Sequence, residues 1–367
     1  MIKNKKKISL FIPTLEGAGA EKVVLTLANG FVSKGYQVDL IVIKLEGAFS
    51  KEIDFNVNVI NLNCKRIFLS LFPLIKYLRL SNPDILLSSL THVNIISIIA
   101  SLLSRVKTKI IVIEHSLKTK LFKNLTFKNK ILDLLMLFTY SKAHSVVSVS
   151  KDVAKNISVR SGIELSKIHI IHNPIYSNSI LIKSKEKLNH PWFLDDQPPV
   201  ILSVGRLTEE KNFSLLIRAF ANVRKKHNVR LLILGEGKLR EQLTLLASQL
   251  SIEKDFSMPG FVDNPYAYMS KASLFVMSSD YEGFGNVLVE AMACGTPIIS
   301  TNCPGGPVEI LENGIWGELI PVGDLKALTS SIINMINKKN HSDTSKRAND
   351  FSTDLKIKEY LKIMFKN

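Results

Sequence analysis

A chain of 367 residues is long enough for two ordinary domains, and 46% hydrophobic against 22% charged residues excludes a disordered polymer. The formal net charge of +16 is one-sided: residues 1–188 hold 28 Lys and Arg against 12 Asp and Glu, whereas residues 189–367 hold 20 of each sign. Two Trp make no aromatic stacking platform for nucleic acid, and three unevenly spaced cysteines make neither a metal signature nor a disulfide framework.

The first residues are basic, like the start of a signal peptide, but only Ile8 to Ile12 follow before Pro13, too short for a secretory core. The run Ile8–Ile12 reads as a buried strand. A small-residue loop, Glu16-Gly17-Ala18-Gly19-Ala20-Glu21, comes next. A helix follows with Val24, Leu27, Ala28 and Phe31 on one face, ending near Gly35. Further apolar runs at 37–43, 85–87, 110–113 and 145–149 alternate with helix-length segments. The longest apolar stretch, residues 95–103, falls far short of the roughly 20 residues of a membrane span, which predicts a soluble or peripheral protein.

Residues 180–199, rich in Lys, Asn, Asp and Pro, read as a linker. The pattern then restarts with a strand at 200–204 and the turn Gly205-Arg206-Leu207. A helix at 213–226 and strands at 230–234, 274–277 and 297–300 follow. The expected architecture is α/β, with two Rossmann-like parallel αβα domains facing across a cleft, at residues 1–185 and 186–350. Residues 351–367 read as an amphipathic helix packing back on the first domain.

The segment Asp280-Tyr-Glu-Gly-Phe-Gly-Asn-Val-Leu-Val-Glu-Ala-Met-Ala-Cys-Gly-Thr-Pro297 carries the strongest chemical signal. It leaves an apolar strand and opens into a helix near Gly285. Such a junction presents backbone N–H groups and the positive end of a helix dipole, which suit a diphosphate. Glu282 sits ahead of the helix, where it suits a sugar hydroxyl. Residues Gly283, Phe284, Gly285 and Asn286 would line the diphosphate, Val287 is a further donor-binding candidate, and Glu290, one turn in, suits ribose hydroxyls. The plain structural alternative is an acid near a helix start, on a helix packed through Val287, Leu288 and Ala291. Arg206 and Lys211 follow another strand end, where two cations can neutralise a leaving diphosphate. The plain alternative for Lys211 is a partner for Glu209 or Glu210 in a charged turn.

Glu282 and Glu290, within Glu-Gly-Phe-Gly and Glu-Ala-Met-Ala-Cys-Gly-Thr-Pro, resemble the paired-glutamate motif of glycosyltransferase family 4, retaining enzymes of GT-B fold. Gly205-Arg206-Leu207 with Lys211 resembles the family's diphosphate-binding pair, and Gly17 and Gly19 lie in a loop like its N-terminal glycine loop. Gly35-Tyr-Gln-Val38, Asn173-Pro174 and Gly260-Phe261-Val262 also match, with Val262 in the segment whose backbone contacts the base. The resemblance implies a nucleotide diphosphate sugar as co-substrate, UDP-sugar above all. It also implies no metal requirement, and a His in the first domain near the reacting sugar, for which His115 in Glu114-His115-Ser116 is the candidate. A strand-end His bonded to backbone is the alternative. Cys303-Pro-Gly-Gly-Pro resembles members that build bacterial surface polysaccharides such as O-antigen or capsule, although Val308 departs from the polar residue common there.

The resemblance assigns the acceptor to the basic first domain. Two stretches there mix bases with large apolar residues: Lys65 through Arg79, where Pro73 is expected to break or kink a helix, and Lys118 to Lys130. The second is the better candidate for a helix lying in a membrane interface, the alternative being a core-facing helix with solvated lysines. It predicts an enzyme peripheral on the inner face of the cytoplasmic membrane, attracted to its anionic surface and acting on a polyprenyl-diphosphate-linked glycan. The competing readings are a nucleotide-sugar epimerase of the same shape, and a basic nucleic-acid-binding protein. No proton-transfer set supports the first, and the neutral second half argues against the second, so no nucleic-acid partner is expected.

Overall fold

The structure, a computed structural model, describes residues 6–16, 19–117, 127–338, 341 and 343–365. It divides into two compact units, residues 1–174 with 353–367, and residues 175–352.

In the first unit, β1 (Lys7–Ile12), β2 (Gln37–Val42), β3 (Asn58–Asn61), β4 (Ile85–Ser89), β5 (Lys109–Glu114), β6 (Ser145–Ser148) and β7 (Ile168–Ile170) make a parallel sheet in the order β3-β2-β1-β4-β5-β6-β7. Every residue of β4 is buried, and β1 is buried after its first residue, which is why both read as unbroken apolar runs. The connecting helices are α1 (Gly19–Ser33), α2 (Leu71–Ser81), α3 (Thr91–Ser104), α4 (Phe127–Thr139) and α5 (Lys151–Ser161). Helices α2 to α5 join strands that advance one way across the sheet. Right-handed crossovers therefore place them on one face, and α1 on the other. Pro73, expected to break its helix, stands in the first turn of α2, where no intrahelical N–H bond is lost. Of the stretch from Lys118 to Lys130, residues 118–126 lie outside the described residues.

The second unit contains β8 (Val200–Val204), β9 (Arg230–Leu234), β10 (Phe256–Gly260), β11 (Leu274–Met277), β12 (Ile298–Thr301) and β13 (Glu318–Ile320), parallel in the order β10-β9-β8-β11-β12-β13. Its helices are α6 (Asn178–Ser184), α7 (Phe213–Arg224), α8 (Arg240–Gln249), α9 (Pro265–Lys271), α10 (Asn286–Ala293), α11 (Pro307–Ile310), α12 (Leu325–Asn337) and α13 (Ser345–Ala348). Phe213, Phe220, Leu328 and Ile332 from α7 and α12 pack on one side of the sheet in a continuous core.

The divide falls at 174/175 rather than 185/186, because the expected linker folds into the second unit. Asn264 Nδ2 donates to the Lys183 carbonyl at 2.8 Å and Ser270 Oγ to that of Ser184 at 2.7 Å, fixing α6 against α9. The chain then returns to the first unit as α14 (Thr353–Phe365), which buries Ile357, Tyr360 and Met364 and packs on α1. Gly30 of α1 makes that approach possible, since a Cβ there would stand 1.9 Å from Ile357 Cδ1. Among the described residues no helix is long and apolar enough to cross a membrane.

Candidate active site

The second sheet is built outward in two directions: β8, β9 and β10 run to one edge, β11, β12 and β13 to the other. Where the order reverses, between β8 and β11, the loops leaving the two carboxyl ends part and leave a crevice for a ligand. The loop after β8 carries Arg206 and Lys211, and the loop after β11 carries residues 278–285.

These loops are stitched together. Lys211 Nζ meets Glu282 Oε1 at 2.5 Å, and Ser279 Oγ donates to the same oxygen at 2.7 Å. Asn212 caps α7 with its side-chain oxygen, and its Nδ2 donates to Asp280 Oδ1 at 2.8 Å. Asp280 N donates to the Glu210 carbonyl at 2.8 Å and Ser278 Oγ to that of Lys211 at 2.9 Å. The Glu282 side chain is 10% exposed and that of Lys211 19%. Two opposite charges withdrawn from water need each other, because either one left buried without its partner would be an uncompensated charge. The alternative in which Lys211 pairs with Glu209 or Glu210 is replaced: Glu209 binds Lys238 at 3.0 Å, and Glu210 accepts from Thr208 Oγ1 at 2.6 Å. Arg206 is set apart, 70% exposed with its guanidinium 3.8 Å from Glu210.

The segment after Glu282 is pressed from below by residues 303–307. Glu282 N donates to the Pro304 carbonyl at 3.0 Å. A Cβ at Gly305 would stand 1.9 Å from the Glu282 carbonyl oxygen, and one at Gly306 2.2 Å from that of Phe284, so only glycines fit. Phe284 is buried edge-on against Phe351, with ring centroids 5.6 Å apart. Gly283, Asn286 and Val287 are half-buried. Gly285, at φ 96°, turns the chain into α10 and offers no side-chain cap. Glu290 lies buried one turn in and accepts from Tyr266 Oη at 3.3 Å. Val262, half-buried, follows the end of β10. Burial, with Glu282 nearby, pushes the Cys303 thiol up to about 12, and burial with Glu290 does the same for Cys294, so both stay neutral thiols.

His115 belongs to the first unit, at the carboxyl end of β5. Both ring nitrogens are buried without a partner among the described residues, and burial pushes the imidazole down to about 4. Its neighbour Glu114 is buried and fixed, accepting from Thr91 Oγ1 at 2.9 Å, Asn94 Nδ2 at 3.1 Å and the Tyr140 hydroxyl. Gly19 is the exposed first residue of α1, and Gly17 lies outside the described residues.

The structure thus brings Lys211 and Glu282 together, keeps Arg206 and Glu290 in the same unit with partners of their own, and carries His115 in the other unit. Ser279, Asn212, Asp280 and Tyr266 are further contributors. Asn212 was readable as a cap ahead of an apolar helical run. Tyr266 meets Glu290 only through tertiary packing, which leaves no local signal. Among the described residues no three His, Cys, Asp or Glu side chains are grouped as a metal site.

Two Rossmann-like parallel units, with paired acids and cations at the switch point of the second, define the GT-B class of glycosyltransferases. The family model described as "Glycosyltransferase Family 4" matches residues 17–178, and that described as "Glycosyl transferases group 1" matches residues 184–352. A Campylobacter jejuni N-acetylgalactosamine-N,N'-diacetylbacillosaminyl-diphospho-undecaprenol 4-alpha-N-acetylgalactosaminyltransferase is 31% identical over 342 residues, covering 90% of each chain. The amylovoran biosynthesis glycosyltransferase AmsD of Erwinia amylovora is 26% identical over 80% of each chain. Among solved structures, a Rickettsia africae glycosyltransferase superposes with a TM-score of 0.78 at 19% identity, covering 99% of this chain and 100% of that one. Anabaena HepE in complex with UDP and glucose superposes with 0.78 at 20% identity, covering 97% and 98%. The chain belongs to glycosyltransferase family 4 and is a transferase enzyme.

Proposed function

We propose that the protein moves a hexose or N-acetylhexosamine from a UDP-sugar to a polyprenyl-diphosphate-linked glycan in surface-polysaccharide synthesis, with retention of anomeric configuration. The observation that carries this reading is the Lys211–Glu282 pair at the switch point, beside the N-terminus of α10. The second unit holds the donor and the basic first unit the acceptor. The C. jejuni relative's name specifies a diphospho-undecaprenol acceptor, which supports a lipid-linked one here. The enzyme then works at the inner face of the cytoplasmic membrane, peripherally.

In this reading the diphosphate lies over residues 283–287 at the positive end of α10, with Arg206 and Lys211 on its oxygens. Glu282 accepts from a donor-sugar hydroxyl, Glu290, oriented by Tyr266, accepts from the ribose, and the backbone at Val262 meets the base. As the anomeric C–O bond breaks, negative charge grows on the diphosphate, where the two cations and the helix dipole supply what a metal ion supplies elsewhere. The acceptor hydroxyl adds to the same face of the sugar and its proton passes to the departing diphosphate oxygen, which gives retention without an enzyme nucleophile. A neutral His115 orients the reacting sugar by hydrogen bonding.

A thermal-shift panel of UDP-, GDP- and ADP-sugars, followed by transfer to polyprenyl-diphosphate sugars with and without EDTA, tests this. A UDP-hexose or UDP-N-acetylhexosamine stabilises the protein, and transfer survives EDTA. Normal turnover in both Arg206→Ala and Glu282→Ala would overturn the assignment of the site.

A further inference from the structure

At the amino ends of β12 and β13, the end of the second sheet away from Lys211 and Glu282, the surface is hollowed into an open cleft of about 260 Å³. Ile315, Trp316 and Met335 supply its apolar side, and Glu318, Lys338 and His341 its polar side. The turn that carries the aromatic wall is strained. Glu312, Asn313 and Gly314 all stand at positive φ, 47°, 54° and 99°. Gly accepts that region and Asn tolerates it, but Glu adopts it rarely. Such a conformation persists only where its surroundings enforce it, and functional sites are where such residues cluster. Gly314 N and Trp316 N both donate to the Leu311 carbonyl, at 3.0 and 3.2 Å, and close the turn. Its product is a fixed indole: Trp316 Nε1 donates to Glu312 Oε2 at 2.7 Å, and the half-buried ring lines the cleft.

The polar groups describe what fits against that ring. Glu318 and Lys338 bring one charge of each sign, and neither is in an ion pair among the described residues. An anion would meet Glu318 and a cation Lys338, so the balance favours a neutral ligand. His341 Nδ1 is buried without a hydrogen-bond partner among the described residues. Burial, and then the Lys338 ammonium, hold that imidazole below its ordinary pKa, so the ring is neutral near pH 7. A pyranose has an apolar C–H face for the indole and Ile315, and a rim of hydroxyls that donate to Glu318 and accept from Lys338. The cleft lies just below the range of about 300–1,000 Å³ that takes drug-sized ligands, which suits a single sugar ring.

We propose that this cleft is a second carbohydrate site, separate from the donor site, which binds one neutral pyranose residue of a glycan through Trp316, Glu318, Lys338 and His341. Its purpose rests on the reading of a glycan acceptor: a chain held there stays at high effective concentration between transfers.

With two Trp in the chain, Trp192→Phe leaves Trp316 as the sole indole reporter. Its emission is titrated with glucose, galactose, N-acetylglucosamine, N-acetylgalactosamine and inorganic phosphate, without any nucleotide sugar. At least one neutral sugar shifts the emission to saturation, added salt leaves that curve in place, and phosphate gives no shift. Calorimetric titration of the unsubstituted chain repeats the measurement whether or not Trp192→Phe folds. Glu318→Gln and His341→Ala each lose a hydrogen bond and raise the half-saturating concentration about fivefold or more. Both keep the unfolding temperature and the thermal shift given by the UDP-sugar. Silence toward all four sugars by both methods, equal half-saturation in both variants and the parent, or a response to phosphate in place of sugar each overturns the site. Absence of a UDP-sugar thermal shift with the Trp316 response intact instead strikes the donor reading and leaves the cleft standing.

Discussion

Arg206 and Lys211 share a loop and a charge, but water treats them differently. Arg206 is largely hydrated, so Arg206→Ala leaves stability within about 0.5 kcal/mol while removing most turnover, read by thermal unfolding beside a transfer assay. Lys211→Ala strands the buried Glu282 carboxylate and costs about 3 kcal/mol as well as activity, whereas Lys211→Met with Glu282→Gln recovers part of the stability and none of the turnover. Equal stability losses for Arg206→Ala and Lys211→Ala would contradict the burial argument. His115 carries a pH signature. Its folded pKa near 4 lies below the ordinary 6.5, so between these values the unfolded chain binds a proton that the folded chain refuses. Stability therefore falls as pH drops through that window and is unaffected above it. On going from about pH 7.5 to about pH 5 the wild type should lose more melting temperature than His115→Asn, and parallel losses would refute a buried neutral ring.

At the scale of elements, the 303–307 segment is a shelf under the loop from Glu282 to Phe284. Gly305→Ala drives a methyl group into the Glu282 carbonyl and also strains a φ of 125°, so the loop must lift. We expect a loss of about 2 kcal/mol or more and a raised KM for the donor, measured by urea unfolding and steady-state kinetics. Unchanged kinetics would mean that the shelf does not shape the site. Both glycines were visible in Cys303-Pro-Gly-Gly-Pro, but what they press against was not, because nothing local in a sequence reports a close approach between separate loops. The same limit governed the strands. The central strands β1, β4, β8 and β11 were legible as apolar runs, since burial on both faces demands them. The unforeseen strands β3, β7, β10 and β13 are the four edges of the two sheets. An edge strand is partly solvated: β3 reads Asn-Val-Ile-Asn with exposed ends, leaving no apolar run to find. Likewise residues 180–199 read as linker because the stretch as a whole is rich in Lys, Asn, Asp and Pro, although its first residues belong to α6, which buries Ile180 and docks on α9 through backbone-directed hydrogen bonds.

Across the whole molecule, the charge asymmetry, the two α/β repeats and the paired glutamates were all legible, because each is written in contiguous residues. The position of the divide was not, since it depends on which unit a short helix joins. Helix α14 joins the first unit by burying three large side chains, worth about 5 kcal/mol, a large share of a domain's stability. Removing residues 353–367 should therefore lower the unfolding transition of the first unit while leaving donor-induced stabilisation of the second intact, as two separable calorimetric transitions would report. A single unaltered transition would show α14 to be dispensable.

That returning helix also sets an order of events during synthesis. Residues 175–352 are continuous, so the second unit can close as soon as its last residue leaves the ribosome. The first unit, although translated earlier, waits with the α14-binding side of α1 uncovered until residues 353–365 emerge. The unit that is begun first is therefore sealed last, and the face of α1 that α14 covers is the part of the newborn chain that waits longest for its apolar partners.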